Sequence, residues 1–287
     1  MAKLLESKSV VDSQLEKLKK RVAALSQLGI VPNMRVILVG ENPASLVYVK
    51  NKKTLSEKVG AQCTIDKLPE NISKADFVSH LNSVVNNSAV HGCFVQLPLP
   101  QQLKDTPIAH MIPPSMDVDG FTPDSLFALM EGDKGEKALL PCTPKGIITL
   151  LQHYNIDISG KNIVIIGRSL IVGKPMSYLF TNHDATVTLC HSKTKNIKEH
   201  TQMADIIVVA IGVAEYLDET FLSKNKNQVI IDVGMNKKPD GKLCGDVHFQ
   251  KVKDHCDSIT PVPGGVGPMT VLSLIENLIF AAERKGR

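Results

Sequence analysis

The sequence has no tryptophan, four tyrosines and eight phenylalanines, so aromatic residues make up only 4% of it. A platform for stacked bases needs several rings, which argues against single-stranded nucleic acid as a partner and makes any one functional ring easier to find. Neither sign of charge is in excess. The 33 basic and 29 acidic residues leave a net charge of +4, too small and too evenly spread for a phosphate-backbone footprint. The six cysteines (Cys63, Cys93, Cys142, Cys190, Cys244 and Cys256) are never closer than 12 positions. There is thus no CxxC pair and no zinc-ligand spacing, and no metal is expected. Scattered single thiols suit a reducing cytosol. The longest apolar run, 206–214, is about half of the roughly 20 residues a membrane helix requires, and the first twenty residues contain no apolar signal core. The expectation is a cytoplasmic protein with neither a membrane nor a nucleic-acid partner.

What is present is an ordinary globular composition, 43% hydrophobic and 22% charged over 287 residues. At about 150 residues per domain this length predicts two domains or one large one. Residues 9–28 place Val11, Leu15, Leu18, Val22 and Leu25 at steps of 4, 3, 4 and 3, one apolar stripe of a helix ended by Gly29. Short β-branched runs at 34–40, 63–68 and 90–97 alternate with helical segments at 44–59 and 74–86. That alternation predicts an α/β layer on a parallel sheet. A stretch rich in proline and glycine, 112–144, reads as loops and short helices leading to a boundary near residue 142. Beyond it a helix over 145–154 leads to a second alternating unit. Strands are expected at 162–167, 185–190, 205–212 and 228–233, with helices over 175–182 and 270–284.

Three places in this plan carry chemistry. Gly167 closes a β-branched strand and opens GRSLIVGKP (167–175), a glycine-bearing strand-to-helix turn of the kind that lets backbone N–H groups approach a pyrophosphate. Its glycines are six apart, so it departs from G-x-G-x-x-G, and an ordinary βα turn fits it equally well. The next strand ends in His191-Ser192-Lys193-Thr194. It has no carboxylate for a ribose 2′-hydroxyl, whereas a hydroxyl, a cation and the planar fork of Arg168 suit a 2′-phosphate, which predicts NADP over NAD. In the first unit, Tyr48 and Lys52 are i and i+4 on one helix face. The pair could set a ring and an amine against a flat substrate, but Lys50, Lys52 and Lys53 also read as a solvated face. Gln96, inside VQLPLP at the end of an apolar strand, lies where open α/β sheets bind ligands, or else ties down the proline loop. Asp117 and Asp119 flank Val118 before Gly120, so one can face a pocket while the other caps the loop.

Together these segments resemble the methylenetetrahydrofolate dehydrogenase/methenyltetrahydrofolate cyclohydrolase family over nearly the whole chain. The resemblance is carried by ASLVYVKNK (44–52), VQLPLP (95–100), DVDGF (117–121), PCTPKGI (141–147), GRSLIVGKP (167–175), CHSKT (190–194), DVGMN (232–236) and PVPGGVGPMT (261–270). It implies a two-domain α/β enzyme with an interdomain cleft. A catalytic folate-binding domain would span 1–142, with helix 270–287 packing back onto it, and a Rossmann-like NADP-binding domain would span 143–269. It implies a homodimer and two reactions of one-carbon metabolism and purine biosynthesis. One is oxidation of 5,10-methylenetetrahydrofolate with NADP; the other is hydrolysis of the product to 10-formyltetrahydrofolate. Carried over by position, Lys52 would move protons in the hydrolysis, Gln96 would hydrogen-bond Lys52, Tyr48 would stack on the folate and Asp119 would bind the pterin. Gly264 and Gly265 would line the folate side. Gly167, Arg168, Ser169 and Ser192 would hold the cofactor's phosphates and ribose. Met235 stands where the family commonly has isoleucine beside the nicotinamide, an apolar-for-apolar change.

Overall fold

The computed structural model describes residues 2–286. In chain order the elements are β1 (Lys3–Leu4), α1 (Lys8–Gln27), β2 (Asn33–Val39), α2 (Pro43–Lys58), β3 (Gln62–Leu68), α3 (Lys74–Val85) and β4 (Gly92–Val95). They continue with α4 (Pro123–Met130), α5 (Cys142–His153), β5 (Asn162–Ile166), α6 (Gly173–Asn182), β6 (Thr186–Cys190), α7 (Ile197–Gln202), β7 (Ile206–Val209) and β8 (Val229–Asp232). The last are β9 (Asn236–Lys237), β10 (Leu243–Cys244), α8 (Phe249–Val252), β11 (Ser258–Ile259) and α9 (Val266–Lys285).

The chain divides into two compact units. One contains the residues up to 12, 129–134 and 143–270; the other contains 13–128, 135–142 and the residues from 271 onward. The first dozen residues, which the sequence groups with 13–142, lie in the unit of 143–270. The reason is strand pairing: β1 lies parallel to β11, with Lys3 opposite Ser258 and Leu4 opposite Ile259.

The unit of 13–128 is built on a three-stranded parallel sheet in the order β3-β2-β4. The β-branched run of β2 is its central strand, and Ile37 and Val39 pack with Phe77, Leu81 and Val84 of α3. A strand buried on both faces reads as continuously apolar, as β2 does from Val36 to Val39. The other unit has a six-stranded sheet in the order β1-β11-β8-β7-β5-β6, all pairs parallel. Strands β6 and β7 flank β5 on opposite sides, so the strand order reverses there. In open α/β sheets ligands bind at such a reversal, beyond the carboxyl ends of the strands.

Three helices begin earlier than the sequence pattern predicts, for one reason. α5, α6 and α9 each carry proline at the third helical position, as Pro144, Pro175 and Pro268. The first four N–H groups of a helix have no intrahelical acceptor, so proline costs nothing there, although it resembles a boundary in sequence. Among the described residues, α9 is the one helix long and apolar enough to cross a membrane. Its Leu272, Leu274, Ile275, Leu278 and Ile279 are buried in the protein core.

Candidate active site

The face that α2 buries is not an apolar stripe. Ser45, Val49, Lys52, Ser56 and Val59 are all buried, at steps of 4, 3, 4 and 3, so Lys52 lies in the inward row of α2 and its continuation. Its neighbour Lys50 is exposed, and only 9% of Lys52 is reached by solvent. The solvated-face alternative therefore holds for Lys50 and fails for Lys52. Lys52 Nζ donates to Gln96 Oε1 at 3.2 Å and sits 3.9 Å from the centre of the Phe94 ring. Gln96 Nε2 donates to the Leu97 carbonyl at 2.8 Å, which fixes the amide with its oxygen toward the amine. Gln96 thus ties down the proline loop and holds Lys52 at once. Tyr48, one turn before Lys52, is half-buried.

The electrostatics of this group are set by desolvation. Burial pushes the Lys52 amine below its ordinary value, and the nearby Asp119 carboxylate offsets part of that shift. Burial pushes the Asp119 carboxyl up, with Lys52 acting in the opposite direction. The Tyr48 phenol is also raised by burial. An amine whose charged form is disfavoured can accept a proton nearer neutral pH than a free lysine can.

The two aspartates of DVDG have separate tasks. Asp117 is buried and accepts hydrogen bonds from Gly120 N–H (2.9 Å), Thr122 N–H (2.6 Å) and the Ser125 hydroxyl (3.0 Å). It builds the loop and the entry to α4. Asp119 and Asp117 both border a cavity of about 640 Å³ with Phe94, Leu97, Pro98, Ile108 and Phe121, but the Asp117 oxygens are engaged by the loop. The loop is tight: Gly120 has φ +77, and a Cβ there would overlap the Leu140–Pro141 backbone. It is anchored by a residue that the sequence reading missed. Buried Asn277 of α9 donates to the carbonyls of Val118 (2.9 Å) and Leu140 (2.8 Å). The available signal was an amide within the mostly apolar helix sequence VLSLIENLIFAA, since a buried amide must find partners.

The remaining candidates lie in the other unit. Gly167 follows β5 with φ +126, and a Cβ on it would overlap the Ala210 carbonyl just beyond β7. Gly173 is equally constrained against the Gly167 carbonyl. The turn between them closes on Ser169, whose hydroxyl accepts from Val172 N–H (3.1 Å) and whose carbonyl accepts from Lys174 N–H (3.0 Å). Arg168 and Ser169 are exposed. Gly167 N–H donates to the Cys190 carbonyl at 2.9 Å, so Arg168 and the exposed Ser192 and Lys193 follow neighbouring strand ends. These residues fit a phosphorylated dinucleotide: a close-packed turn into a helix N-terminus, with a guanidinium, hydroxyls and an ammonium beside it. Gly264, at φ +104, turns its carbonyl to Ser7, accepting from the Ser7 N–H (2.8 Å) and hydroxyl (2.7 Å). A Cβ on the adjoining Gly265 would come 2.6 Å from the Pro261 carbonyl. Met235 is largely exposed.

Known proteins resemble the chain throughout. Residues 5–119 match the family model described as "Tetrahydrofolate dehydrogenase/cyclohydrolase, catalytic domain", and residues 141–286 match its "NAD(P)-binding domain". The "Bifunctional protein FolD" of Halalkalibacterium halodurans is 44% identical over 282 residues, covering 98% of this chain and 99% of that one. The crystal structure of the bifunctional enzyme FolD, a methylenetetrahydrofolate dehydrogenase/cyclohydrolase, from Campylobacter jejuni superposes with a TM-score of 0.95 at 41% identity, covering 99% of each chain. The Trypanosoma brucei dehydrogenase-cyclohydrolase, solved with NADP cofactor and an inhibitor, gives a TM-score of 0.92 at 30% identity, covering 100% of this chain and 99% of that one.

The division of labour between the two aspartates predicts opposite effects on stability. Asp117→Ala strands the Thr122 N–H and the Ser125 hydroxyl, both buried, and should cost about 2–4 kcal/mol. Asp119 has a carboxyl raised by folding, so its contribution is fully present at acid pH and lost as pH rises through the folded value. Asp119→Asn should therefore raise the denaturation midpoint above neutral pH, with the gain fading as pH falls below the carboxylate range. Urea titrations of both variants at several pH values check this; a loss of stability for Asp119→Asn at high pH would contradict it.

Proposed function

The chain belongs to the tetrahydrofolate dehydrogenase/cyclohydrolase family, and we propose that Lys52 moves the protons in the hydrolytic half of its two reactions. The chain is a bifunctional enzyme of one-carbon metabolism. It oxidises 5,10-methylenetetrahydrofolate to 5,10-methenyltetrahydrofolate with NADP and hydrolyses the latter to 10-formyltetrahydrofolate. The observation that carries the role of Lys52 is its buried amine, held by Gln96 beside the cavity that Asp119 lines.

Hydrolysis requires proton movement. As water adds to the carbon bridging N5 and N10, it gives up a proton, which the neutral Lys52 amine accepts. Ring opening then breaks the bond from that carbon to N5, forms the formyl carbonyl and leaves a proton on N5; one proton is released overall. Gln96 suits this exchange because an amide oxygen accepts a hydrogen bond from an amine in either protonation state. Asp119 would bind the pterin and Tyr48 would stack against it, while Gly264 and Gly265 would line the folate side. NADP, when bound, supplies the hydride acceptor for the oxidation. Gly167, Arg168, Ser169 and Ser192 would hold it, with Met235 beside the nicotinamide. Hydride transfer needs no protein base, so the chain's task in that step is to align two flat rings. We assign folate binding to the unit of 13–128, 135–142 and the final helix, and NADP binding to the unit that contains 143–270.

We further propose a homodimer formed through the NADP-binding part, where β6 ends the sheet order and carries the half-buried Val187, Thr188 and Leu189 on an unpaired edge. Such edges are usually covered. The six cysteines are all buried and scattered through the sequence, which supports a reducing, cytoplasmic location. Recovery of the protein from outside the cell would overturn that placement.

Three measurements test these roles. Lys52→Met should lower cyclohydrolase about 10²–10⁴-fold while retaining some dehydrogenase; full hydrolysis of methenyltetrahydrofolate, followed by its near-ultraviolet absorbance, would refute the proton-transfer role. Arg168→Ala should raise the KM for NADP about tenfold or more while changing that for NAD little, and equal losses with both cofactors would remove the 2′-phosphate contact. Sedimentation velocity should give a dimer; a monomer at assay concentration would rule out the assembly.

A further inference from the structure

A second pair of buried aspartates, unused by the chemistry above, lies beyond the carboxyl ends of β7 and β8. Asp232 ends β8. Its Oδ1 accepts from Gly234 N–H (3.0 Å) and Asp246 N–H (2.9 Å), and its Oδ2 accepts from Val247 N–H (3.0 Å). Asp246 is held in turn, and its own carboxylate reaches two further segments. Oδ2 accepts from Ile211 N–H (2.7 Å) and Gly212 N–H (2.9 Å), in the turn just after β7, and Oδ1 accepts from Asn236 Nδ2 (2.9 Å).

The pieces are packed reciprocally. A Cβ on Gly245 would overlap the Asp232 carboxylate, and a Cβ on Gly234 would overlap that of Asp246. Glycine beside each aspartate is what lets the two strand-end segments approach this closely. Burial pushes the Asp232 carboxyl up to about 7 against three backbone donors, so the arrangement keeps an acid where solvation is poor. Such a lattice orders the backbone it touches.

What it touches is the rim of the cofactor site. Turn 211–212 follows β7, whose end abuts Gly167 through the Ala210 carbonyl. Asn236 adjoins Met235, whose Cε would lie 3.4 Å from a Cβ built on Gly267 at the start of α9. We infer that Asp246 is a positioning residue for NADP, fixing turn 211–212 and, through Asn236, the placement of Met235 beside the nicotinamide. The inference rests on the proposed reading that Gly167, Arg168, Ser169 and Ser192 hold NADP beyond the ends of β5 and β6, with Met235 beside the nicotinamide.

The two activities of the full-length enzyme provide the test, because hydrolysis of methenyltetrahydrofolate consumes no NADP. Asp246→Ala should raise the KM for NADP about tenfold and lower dehydrogenase kcat, while cyclohydrolase stays within about twofold. Asn236→Ala should move the same constants in the same direction by less, and it carries the test should Asp246→Ala not fold. Asp246→Asn should recover part of the loss, since an amide oxygen still accepts from the 211 and 212 N–H groups. A KM is independent of how many molecules are folded. Both activities falling together at unchanged KM would therefore mean a merely structural role and would overturn the inference, as would an unchanged KM in all three variants. Arg168→Ala run in parallel separates the two levels. If it raises the KM while the three variants do not, the inference fails and the cofactor placement stands; if it too leaves the KM unchanged, the placement falls and the inference with it.

Discussion

A cation that must be kept in a place hostile to cations governs the catalytic half of this molecule. Lys52 occupies a buried row of α2 between Val49 and Ser56, where an ammonium loses most of its hydration. The surrounding groups are intelligible as responses to that cost. The Phe94 ring offers its face to the amine, Asp119 supplies an opposite charge, and Gln96 supplies an acceptor indifferent to the proton. None of these offsets burial completely, so the amine's proton affinity stays depressed. A lysine fully compensated by a close carboxylate would hold its proton, and one left in solvent would hold it too. Partial compensation leaves the amine's proton affinity lowered, as the proposed proton transfer requires.

Buried carboxylates build the frame in both units. Asp117 uses its oxygens on Gly120, Thr122 and Ser125, while Asp119, which borders the same cavity, acts on the charge of Lys52. Asp232 uses its oxygens on the 234, 246 and 247 N–H groups, which positions the segment that bears Asp246. In each case glycine sits where the two chain segments meet, Gly120 in the first and Gly234 and Gly245 in the second.

Much of the fold was legible because the strands of parallel sheets are continuously apolar. The runs MRVILV, NIVII and IIVV announce themselves, and the helices between them follow. The two-residue strands β1 and β11 could not be read, since so short a strand has no period of its own and exists only by pairing. The starts of α5, α6 and α9 were obscured because proline at the third helical position resembles a break although it satisfies the helix. In the site, Tyr48, Lys52, Gln96 and Asp119 stood out by residue type and motif. Which lysine of the 50–53 cluster was buried did not, because the inward face of α2 is Ser-Val-Lys-Ser-Val and carries no apolar stripe. Asn277, Asp232 and Asp246 were missed because each works through partners remote in sequence.

The sequence by itself determined the α/β class, the order of most strands and helices, the glycine-bearing turn after β5 and the family to which the chain belongs, because these depend on local periodicity and on short motifs. Tertiary structure alone decided which lysine is desolvated, which backbone segments each buried aspartate ties together, and that the first strand joins the sheet of the second unit. Those outcomes depend on burial and on hydrogen bonds between residues far apart in the chain, and proton affinity follows burial rather than residue type.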